Sequence, residues 1–232
     1  MFGGHMMFFN PMYFLWIAPA LLLAFWAQMR VKATYAQAQQ MPAPLSGAAA
    51  ARHILDSAGL QNVEIEQIPG QLSDHYDSHA KVLRLSPEVY QSRSLAAVGI
   101  AAHESGHALQ DAHAYAPLAV RNAAVPAANF GSGISMTLII LGFFMQAQPL
   151  VWAGIALFAC FVFFQVVNLP VEFNASARAK AQLVDLGIVP ADEMVYVNKV
   201  LNAAAWTYVA ATLQSVLTLL YYVSRFGGNS RD

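Results

Sequence analysis

The feature that most constrains this chain is a long stretch between Arg121 and Glu172 in which no side chain carries a charge. It contains two apolar segments, about Ala123–Met145 and about Leu150–Leu169, separated by the short polar turn Gln146–Pro149. Each segment reaches the roughly 20 residues that a helix needs to cross a bilayer. Because a soluble protein of 232 residues is too small to bury two such helices, a transmembrane helical hairpin is predicted.

Two further apolar segments lie outside this hairpin, at Met12–Gln28 and Leu201–Val223. The first cations, Arg30 and Lys32, follow the first segment, which favours an uncleaved membrane helix over a signal peptide. The chain is 57% hydrophobic and only 11% charged, whereas a soluble domain carries about 25% charged residues. We therefore expect a mainly α integral membrane protein with about four transmembrane helices and the lipid bilayer as a partner. The net charge of −1 gives no reason to expect nucleic acid.

A second feature is the H-E-x-x-H motif formed by His103, Glu104 and His107 in a predicted helix from Ser94 to Gln110. Residues four apart share a helix face, so both histidines can bind one metal ion. Glu104 is one position further round and can reach a water molecule bound to that ion. This pattern is typical of zinc metallopeptidases and predicts two zinc ligands and a general base. The alternative is a coincidental helix with two core histidines.

A catalytic zinc ion needs a third protein ligand, for which there are two candidates. His113 lies ten residues after His103, but this arrangement needs a helix break at the position of Gln110. An unbroken helix would carry His113 away from His107 by about 1.5 Å per residue. Glu172, alone at the end of the uncharged stretch, is the better candidate, and its alternative role is that of a simple interfacial carboxylate.

The sequence around the motif predicts a small α+β domain. A helix from Ser46 to Ala58 precedes two strands, Asn62–Ile68 and Lys81–Leu85, which are expected to form a short β-hairpin around the turn-rich stretch Gln71–Ala80. In zinc peptidases a strand beside the motif helix can present its edge to an extended peptide, and Lys81–Ser86 is the candidate for that role. Equally, the hairpin can simply cover the core.

The distribution of cations predicts the membrane topology. Ten of the twelve Lys and Arg residues lie in the stretches Arg30–Arg121 and Glu172–Lys199. The positive-inside rule therefore predicts a multi-pass protein of the cell (plasma or inner) membrane whose active site faces the cytoplasm. The predicted domains are an N-terminal transmembrane helix (1–34), a cytoplasmic zincin-like domain with the motif helix (35–121), a transmembrane helical hairpin (122–170), a helix carrying the third zinc ligand (171–200), and a C-terminal transmembrane helix with a tail (201–232).

Two segments carry a family resemblance. His103–Gln110, together with Leu169–Ser176 after a membrane hairpin, resembles the YugP-type family of bacterial membrane zinc metallopeptidases, and the stretch Asp74–Ser86 fits as well. The resemblance extends more distantly to the larger HtpX-type and prenyl-protein membrane peptidases. It implies a neutral zinc endopeptidase with the following site residues: His103, His107 and Glu172 as zinc ligands and Glu104 as the base.

One position departs from the HtpX-type pattern. Four residues after the ligand Glu, that pattern has an Asp that orients a ligand, whereas this chain has Ser176, which brings no charge. The candidates for orienting the ligand histidines are then Asp74, Asp77 and Asp111. Four side chains are candidates for stabilising the oxyanion, namely Tyr76, His75, Asn174 and Arg178.

The function that these features predict is zinc-dependent hydrolysis of protein or peptide substrates that are associated with the membrane. A metal transporter would place ionisable side chains within its spans, and all four apolar segments lack them. A catalytically inactive zinc-binding scaffold is the remaining alternative. Glu104 argues against it, because a structural zinc site needs no general base.

Overall fold

A computed structural model of the chain describes residues 11–227. Residues 1–10 of the predicted N-terminal domain and residues 228–232 of the predicted tail lie outside this range. Within it the elements are, in chain order, α1 (Pro11–Gln39), α2 (Gly47–Ser57), β1 (Glu64–Gln67), β2 (His75–Asp77), β3 (Val82–Leu85), α3 (Pro87–Gln91), α4 (Leu95–Ala112), α5 (Ala116–Phe144), α6 (Gln148–Asp185) and α7 (Met194–Gly227).

The contacts divide the described residues into two units. Residues 11–26, 120–168 and 206–227 form the membrane unit, and residues 27–119 and 169–205 form the motif unit. Helices α1, α5, α6 and α7 are long and apolar enough to cross a membrane. The predicted fold class, a mainly α membrane protein with a small α+β part, is confirmed.

The membrane unit is held together by close helix contacts. Its buried cluster consists mainly of Ile139, Val151, Ile155, Tyr221 and Tyr222. A Cβ atom added at Gly131 would lie 2.7 Å from the carbonyl oxygen of Leu157, and one at Gly154 would lie equally close to the carbonyl oxygen of Ser135. Glycine therefore allows the backbones of α5 and α6 to approach at these points, as is common among membrane helices.

The motif unit contains a three-stranded sheet with the order β1-β3-β2. The two predicted strands both exist, but the expected hairpin between them is wrong, because β1 and β3 pair in parallel, with Glu64 opposite Val82. The antiparallel partner of β3 is β2, with Tyr76 opposite Leu83. Strand β2 lies in the stretch predicted as a turn. It is only three residues long and is flanked by Asp74 and other polar residues, so no alternating pattern marks it.

The pairing also corrects the prediction that Lys81–Ser86 offers a free edge to a peptide. Strand β3 lies in the centre of the sheet and is hydrogen-bonded to β1 on one side and to β2 on the other. Its backbone groups are therefore already paired, and any free edge belongs to one of the outer strands.

The motif helix α4 forms much of the core of the motif unit. Its N-cap is Ser94, where the sequence starts the predicted helix, and the Ser94 hydroxyl accepts a hydrogen bond from the amide of Ala97. Leu95, Val98 and Ala102 are fully buried against residues of α2, α6 and α7. Most residues of α4 are buried, whereas His103, Glu104 and His107 of the motif are half-buried.

Helix α6 continues through Pro170 without a break. A proline removes one backbone donor, and a long helix with packed neighbours tolerates this loss. Glu172 and the apolar segment Leu150–Leu169 therefore belong to the same helix, whereas the sequence suggested a new helix after Pro170.

Asp77 stabilises the turn between β2 and β3 through hydrogen bonds, and these bonds predict how the stability of the protein changes at acid pH. Its carboxylate accepts hydrogen bonds from the amides of Ala80 and His79 and from Arg84 Nη1, the last at 2.6 Å. The bond from Ala80, followed by the one from Arg84, lowers the pKa of Asp77 to about 2 from an ordinary 3.8. Because the folded-state pKa is the lower one, the contribution to stability is complete above about pH 4 and is lost as the pH falls through 2.

We therefore expect Asp77→Asn to lower the thermal unfolding midpoint at pH 6, and the difference from the wild type to shrink between pH 4 and pH 2. Thermal unfolding in detergent at a series of pH values measures this. Asp192→Asn, which changes an exposed residue, is the control for the loss of one negative charge. If the difference in unfolding midpoint between Asp77→Asn and the wild type stays constant down to pH 2, the lowered pKa of Asp77 is contradicted.

Candidate metal centre

Helix α4 brings the two motif histidines together. His103 and His107 are four residues apart, and their ring centroids lie 4.9 Å apart with the planes nearly perpendicular. Their side chains are only 14% and 13% exposed. Glu104 is also half-buried beside them. The predicted face of the motif helix is thus formed, with two imidazoles directed to one point.

Helix α6 supplies the predicted third donor. The Glu172 side chain is 7% exposed, and its Oε2 lies 3.2 Å from His103 Nε2 and 3.7 Å from His107 Nε2. One ligand atom from each of the three residues lies within 4.8 Å of the others. The chain thus brings together His103, His107 and Glu172 in a group that could hold a metal ion.

The chemistry of this group fits a zinc ion. Two imidazole nitrogens and one carboxylate oxygen form the donor set of many catalytic zinc sites, and they leave one position for water. His103 Nδ1 and His107 Nδ1 have their own polar partners, so both Nε2 atoms are the ones that face Glu172 Oε2. Three acceptor atoms at this distance repel one another unless a proton or a cation lies among them.

The distance between α4 and α6, the two helices that carry the candidate donors, depends on Gly106, inside the motif. A Cβ atom added at Gly106 would lie 2.5 Å from the carbonyl oxygen of Ala175 and 3.2 Å from its Cα atom. Both residues are fully enclosed between α4 and α6. The absence of a side chain at Gly106 therefore allows Glu172, one turn before Ala175, to reach the histidines.

Two uncharged side chains, rather than the predicted aspartates, contact the outer nitrogens of the histidines. His103 Nδ1 lies 3.1 Å from Ser176 Oγ, and His107 Nδ1 lies 3.0 Å from Gln110 Oε1. The spacing offers a signal in retrospect, because Gln110 is three residues after His107 and Ser176 is four residues after Glu172. Polar residues at these spacings share a helix face with a ligand.

The three aspartates have other partners. Asp74 accepts hydrogen bonds from the amide and the hydroxyl of Ser86 at the start of α3. Asp77 is held in its turn, and Asp111 pairs with Lys81 and accepts a hydrogen bond from the Tyr76 hydroxyl at 2.7 Å. These contacts order the loops around the sheet.

His113 does not join the donor group among the described residues. It is the C-cap of α4, and its Nδ1 lies 2.6 Å from the carbonyl oxygen of Leu109. The expectation that it is a polar residue at the helix end is confirmed. The backbone of α4 is helical at Gln110, so the chain does not turn back to the motif there.

The electrostatics of the site favour a positive charge among the donors. Burial lowers the pKa of His107, but the hydrogen bond to Glu172 and the negative charges of Glu104 and Glu172 outweigh it, so the pKa is raised overall. At the edge of the site, burial and the hydrogen bond to Asp111 raise the pKa of Tyr76 far above its usual range. The Tyr76 hydroxyl therefore stays protonated and remains a donor to Asp111.

An H-E-x-x-H helix joined to a carboxylate from a second helix, in a chain with four apolar helices, is the arrangement expected of membrane zinc peptidases. The chain belongs to the family described as "Putative neutral zinc metallopeptidase", whose model matches residues 13–227. The predicted family resemblance is thereby confirmed.

One relative, "Putative membrane protease YugP" of Bacillus subtilis (strain 168), is 47% identical over 221 residues. The match covers 94% of this chain and 97% of the relative. No solved structure matches the chain. The family and the relative together place the chain among membrane proteins of the zinc-peptidase type.

The close contact at Gly106 leads to a prediction. We expect Gly106→Ala to weaken zinc binding by at least about tenfold, because the added methyl group pushes α4 away from Ala175 and the donors need placement to within about 0.5 Å. Competition with a chelator of known affinity measures the change. Gly99→Ala is the matched control on the same helix, since its Cβ atom would meet only the Val197 side chain at 3.1 Å. Equal effects of the two substitutions would contradict the special role of Gly106.

Proposed function

We propose that this protein is a membrane-bound, zinc-dependent endopeptidase that hydrolyses peptide bonds with a zinc-activated water molecule. The observation that carries the proposal is the convergence of His103, His107 and Glu172 beside Glu104. Membership of the zinc-peptidase family and the likeness to a relative named as a membrane protease support it. A zinc site with a purely structural role would not need a general base beside its three metal donors.

In this proposal His103, His107 and Glu172 hold the zinc ion. When bound, zinc lowers the pKa of a water molecule and polarises the carbonyl group of the scissile bond. The three protein donors leave a coordination position for that water. Glu172 also contributes the single negative charge that offsets part of the charge of the ion.

Glu104 is the proposed general base. Its side chain is half-buried, and its negative charge helps to raise the pKa of the neighbouring His107. Glu104 therefore lies close to the candidate zinc ligands. Its carboxylate takes a proton from the attacking water and then passes that proton to the amine that leaves. A glutamine at this position would keep the shape of the side chain but could not accept the proton.

Among the candidates for stabilising the oxyanion, the contacts favour Arg178. Its Nε donates a hydrogen bond to Asn174 Oδ1 at 2.8 Å, and its guanidinium carbon lies 5.9 Å from the centre of the Tyr115 ring. Among the described residues Nε is the one donor atom of Arg178 with a hydrogen bond, whereas the Tyr76 hydroxyl is already directed to Asp111.

We assign the binding of an extended substrate to the outer edge of β2. Among the described strands, β2 pairs only with β3 and so has one unpaired side. The Tyr76 side chain of β2 bonds to Asp111 near the end of the motif helix, which places this strand beside α4. An unpaired strand edge can bind a peptide through main-chain hydrogen bonds.

We further propose that the protein is a multi-pass protein of the cell membrane, that its active site faces the cytoplasm, and that its substrates are membrane-associated proteins or peptides. The support is the concentration of Lys and Arg in the stretches Arg30–Arg121 and Glu172–Lys199. The second candidate function is a catalytically inactive zinc-binding scaffold with the same ligands.

The ligand set is tested by zinc content. We expect purified Glu172→Ala to lose stoichiometric zinc, because two histidines alone bind it weakly, whereas His113→Ala retains it. Metal analysis of the purified proteins by mass spectrometry measures both. Zinc that is retained by Glu172→Ala and lost from His113→Ala would exclude Glu172 and favour His113 as the third ligand.

The catalytic role is tested by Glu104→Gln. We expect this variant to keep zinc and to lose cleavage of a casein-type or membrane substrate by about 10² to 10⁴-fold, the usual contribution of a general base. The measurement is the rate of substrate cleavage at equal zinc content. If Glu104→Gln keeps the cleavage rate of the wild type, the base assignment is wrong. If the wild type with bound zinc cleaves no substrate, the scaffold function replaces the endopeptidase function.

A further inference from the structure

Gln110 occupies a position that the ligand and base roles do not explain. Its side chain is polar but 0% exposed, in the contact between α4 and α6. Its amide forms three hydrogen bonds, to His107 Nδ1 at 3.0 Å, to the carbonyl oxygen of Val171 at 2.7 Å and to Asn174 Oδ1 at 3.1 Å. It thereby connects a metal-binding histidine on α4 to the backbone and a side chain of α6.

The orientation of this amide is fixed from two independent directions. The carbonyl oxygen of Val171 can only accept a hydrogen bond, so the amide nitrogen of Gln110 must face it. Arg178 can only donate, and its Nε donates to Asn174 Oδ1, so this oxygen of Asn174 is also an acceptor for Gln110. Both neighbours therefore place the nitrogen of the Gln110 amide toward α6 and its oxygen toward His107.

The fixed amide in turn determines the tautomer of His107. Gln110 Oε1 can only accept, so His107 Nδ1 must carry a hydrogen atom and donate it. In a neutral imidazole the other nitrogen, Nε2, then has a free lone pair. That nitrogen is the one that faces Glu172 Oε2 at 3.7 Å. Gln110 thus selects the tautomer of His107 that can bind a metal ion.

The other histidine has no such constraint. His103 Nδ1 contacts the hydroxyl of Ser176, which can rotate and either donate or accept. Ser176 therefore orients the ring of His103 but does not select its tautomer. The contrast assigns the selective role to Gln110 alone.

We propose that Gln110 is a positioning residue for the metal site, which holds His107 in the tautomer whose Nε2 binds zinc and ties this ligand to the helix that carries Glu172. This inference rests on the proposed zinc site. Gln110 acts through His107 and touches neither the metal ion nor the substrate. Partners of this kind usually change metal affinity by about 10 to 100-fold.

The test compares three variants of the full chain in detergent. Gln110→Met keeps a similar volume but removes every hydrogen bond of the amide. Gln110→Glu keeps an acceptor for His107 Nδ1 and, because burial favours the protonated carboxyl group, it also keeps one donor for the carbonyl oxygen of Val171. Ser105→Ala is the matched control, because Ser105 is equally buried on α4 and its hydroxyl bonds only to the carbonyl oxygen of Ala101 among the described residues.

Two measurements are made on each variant: the dissociation constant for zinc, by competition with a chelator, and the visible absorption spectrum of the Co²⁺-substituted protein. We expect Gln110→Met to weaken zinc binding by about 10 to 100-fold and to change the cobalt spectrum. Gln110→Glu should recover most of the affinity, and Ser105→Ala should match the wild type. Thermal unfolding without metal shows how far each substitution affects folding.

The possible results are distinguishable. If Gln110→Met binds zinc as tightly as the wild type with the same cobalt spectrum, or if Gln110→Glu loses as much affinity as Gln110→Met, Gln110 does not select the tautomer and the inference is wrong. If the wild type binds no zinc, or if Glu172→Ala binds it equally well, the proposed zinc site is wrong. The proposed role of Gln110 is then wrong as well.

Discussion

The candidate metal centre depends on the direct backbone contact between α4 and α6 at Gly106 and Ala175. Helix α4 alone can place two donors on one face, but no spacing within it supplies the third. Glu172 is 69 residues from His103 along the chain, and only the approach of the two helices brings it within 3.2 Å. A glycine between the two histidines permits this approach without displacing them, because the smallest residue lies on the face that contacts α6.

Polar side chains in the same contact specify its register. Gln110 and Ser176 are buried, and each finds its partner only when α4 and α6 are aligned as they are. A shift of one helical turn would leave these groups without partners, at a cost of about 1–3 kcal/mol for each buried polar group. The apolar surfaces of the helices bring them together, and the hydrogen bonds then select one alignment. The same bonds that select the alignment also orient the two imidazole rings.

Local patterns predicted the parts of the site that lie within one element. The spacing of His103 and His107 follows from the helical period, and the sequence starts two predicted helices at Ser46 and Ser94, which are their N-caps. The four apolar helices follow from length and composition. Glu172 was identified because a carboxylate at the end of an uncharged stretch is unusual. These are properties of a residue and its neighbours in the sequence.

The errors concern contacts between distant segments. The parallel pairing of β1 with β3 places β2 on the far side of β3, and no periodicity in the polar stretch around Tyr76 marks that strand. Charge suggested that aspartates orient the histidines, whereas Asp74, Asp77 and Asp111 bond to loops and strands instead. The sequence indicates for Gln110 only that the helix is not broken there. Its partners on α6 lie 61 and 64 residues away, beyond any local pattern.

Among the described contacts of the donor group there is no Lys or Arg side chain, and this strengthens the case for a bound cation. Glu172 is nearly enclosed, and burying a carboxylate without a positive partner is very unfavourable. The nearest guanidinium in the hydrogen-bond network, that of Arg178, bonds to Asn174 rather than to Glu172. Ser176 and Gln110 add no charge. The carboxylate can then be balanced only by a proton on a histidine or by a metal ion, and these compete for the same nitrogen lone pairs. Because Gln110 already places the proton of His107 on Nδ1, a metal ion can bind at Nε2 without any change in the surrounding hydrogen bonds.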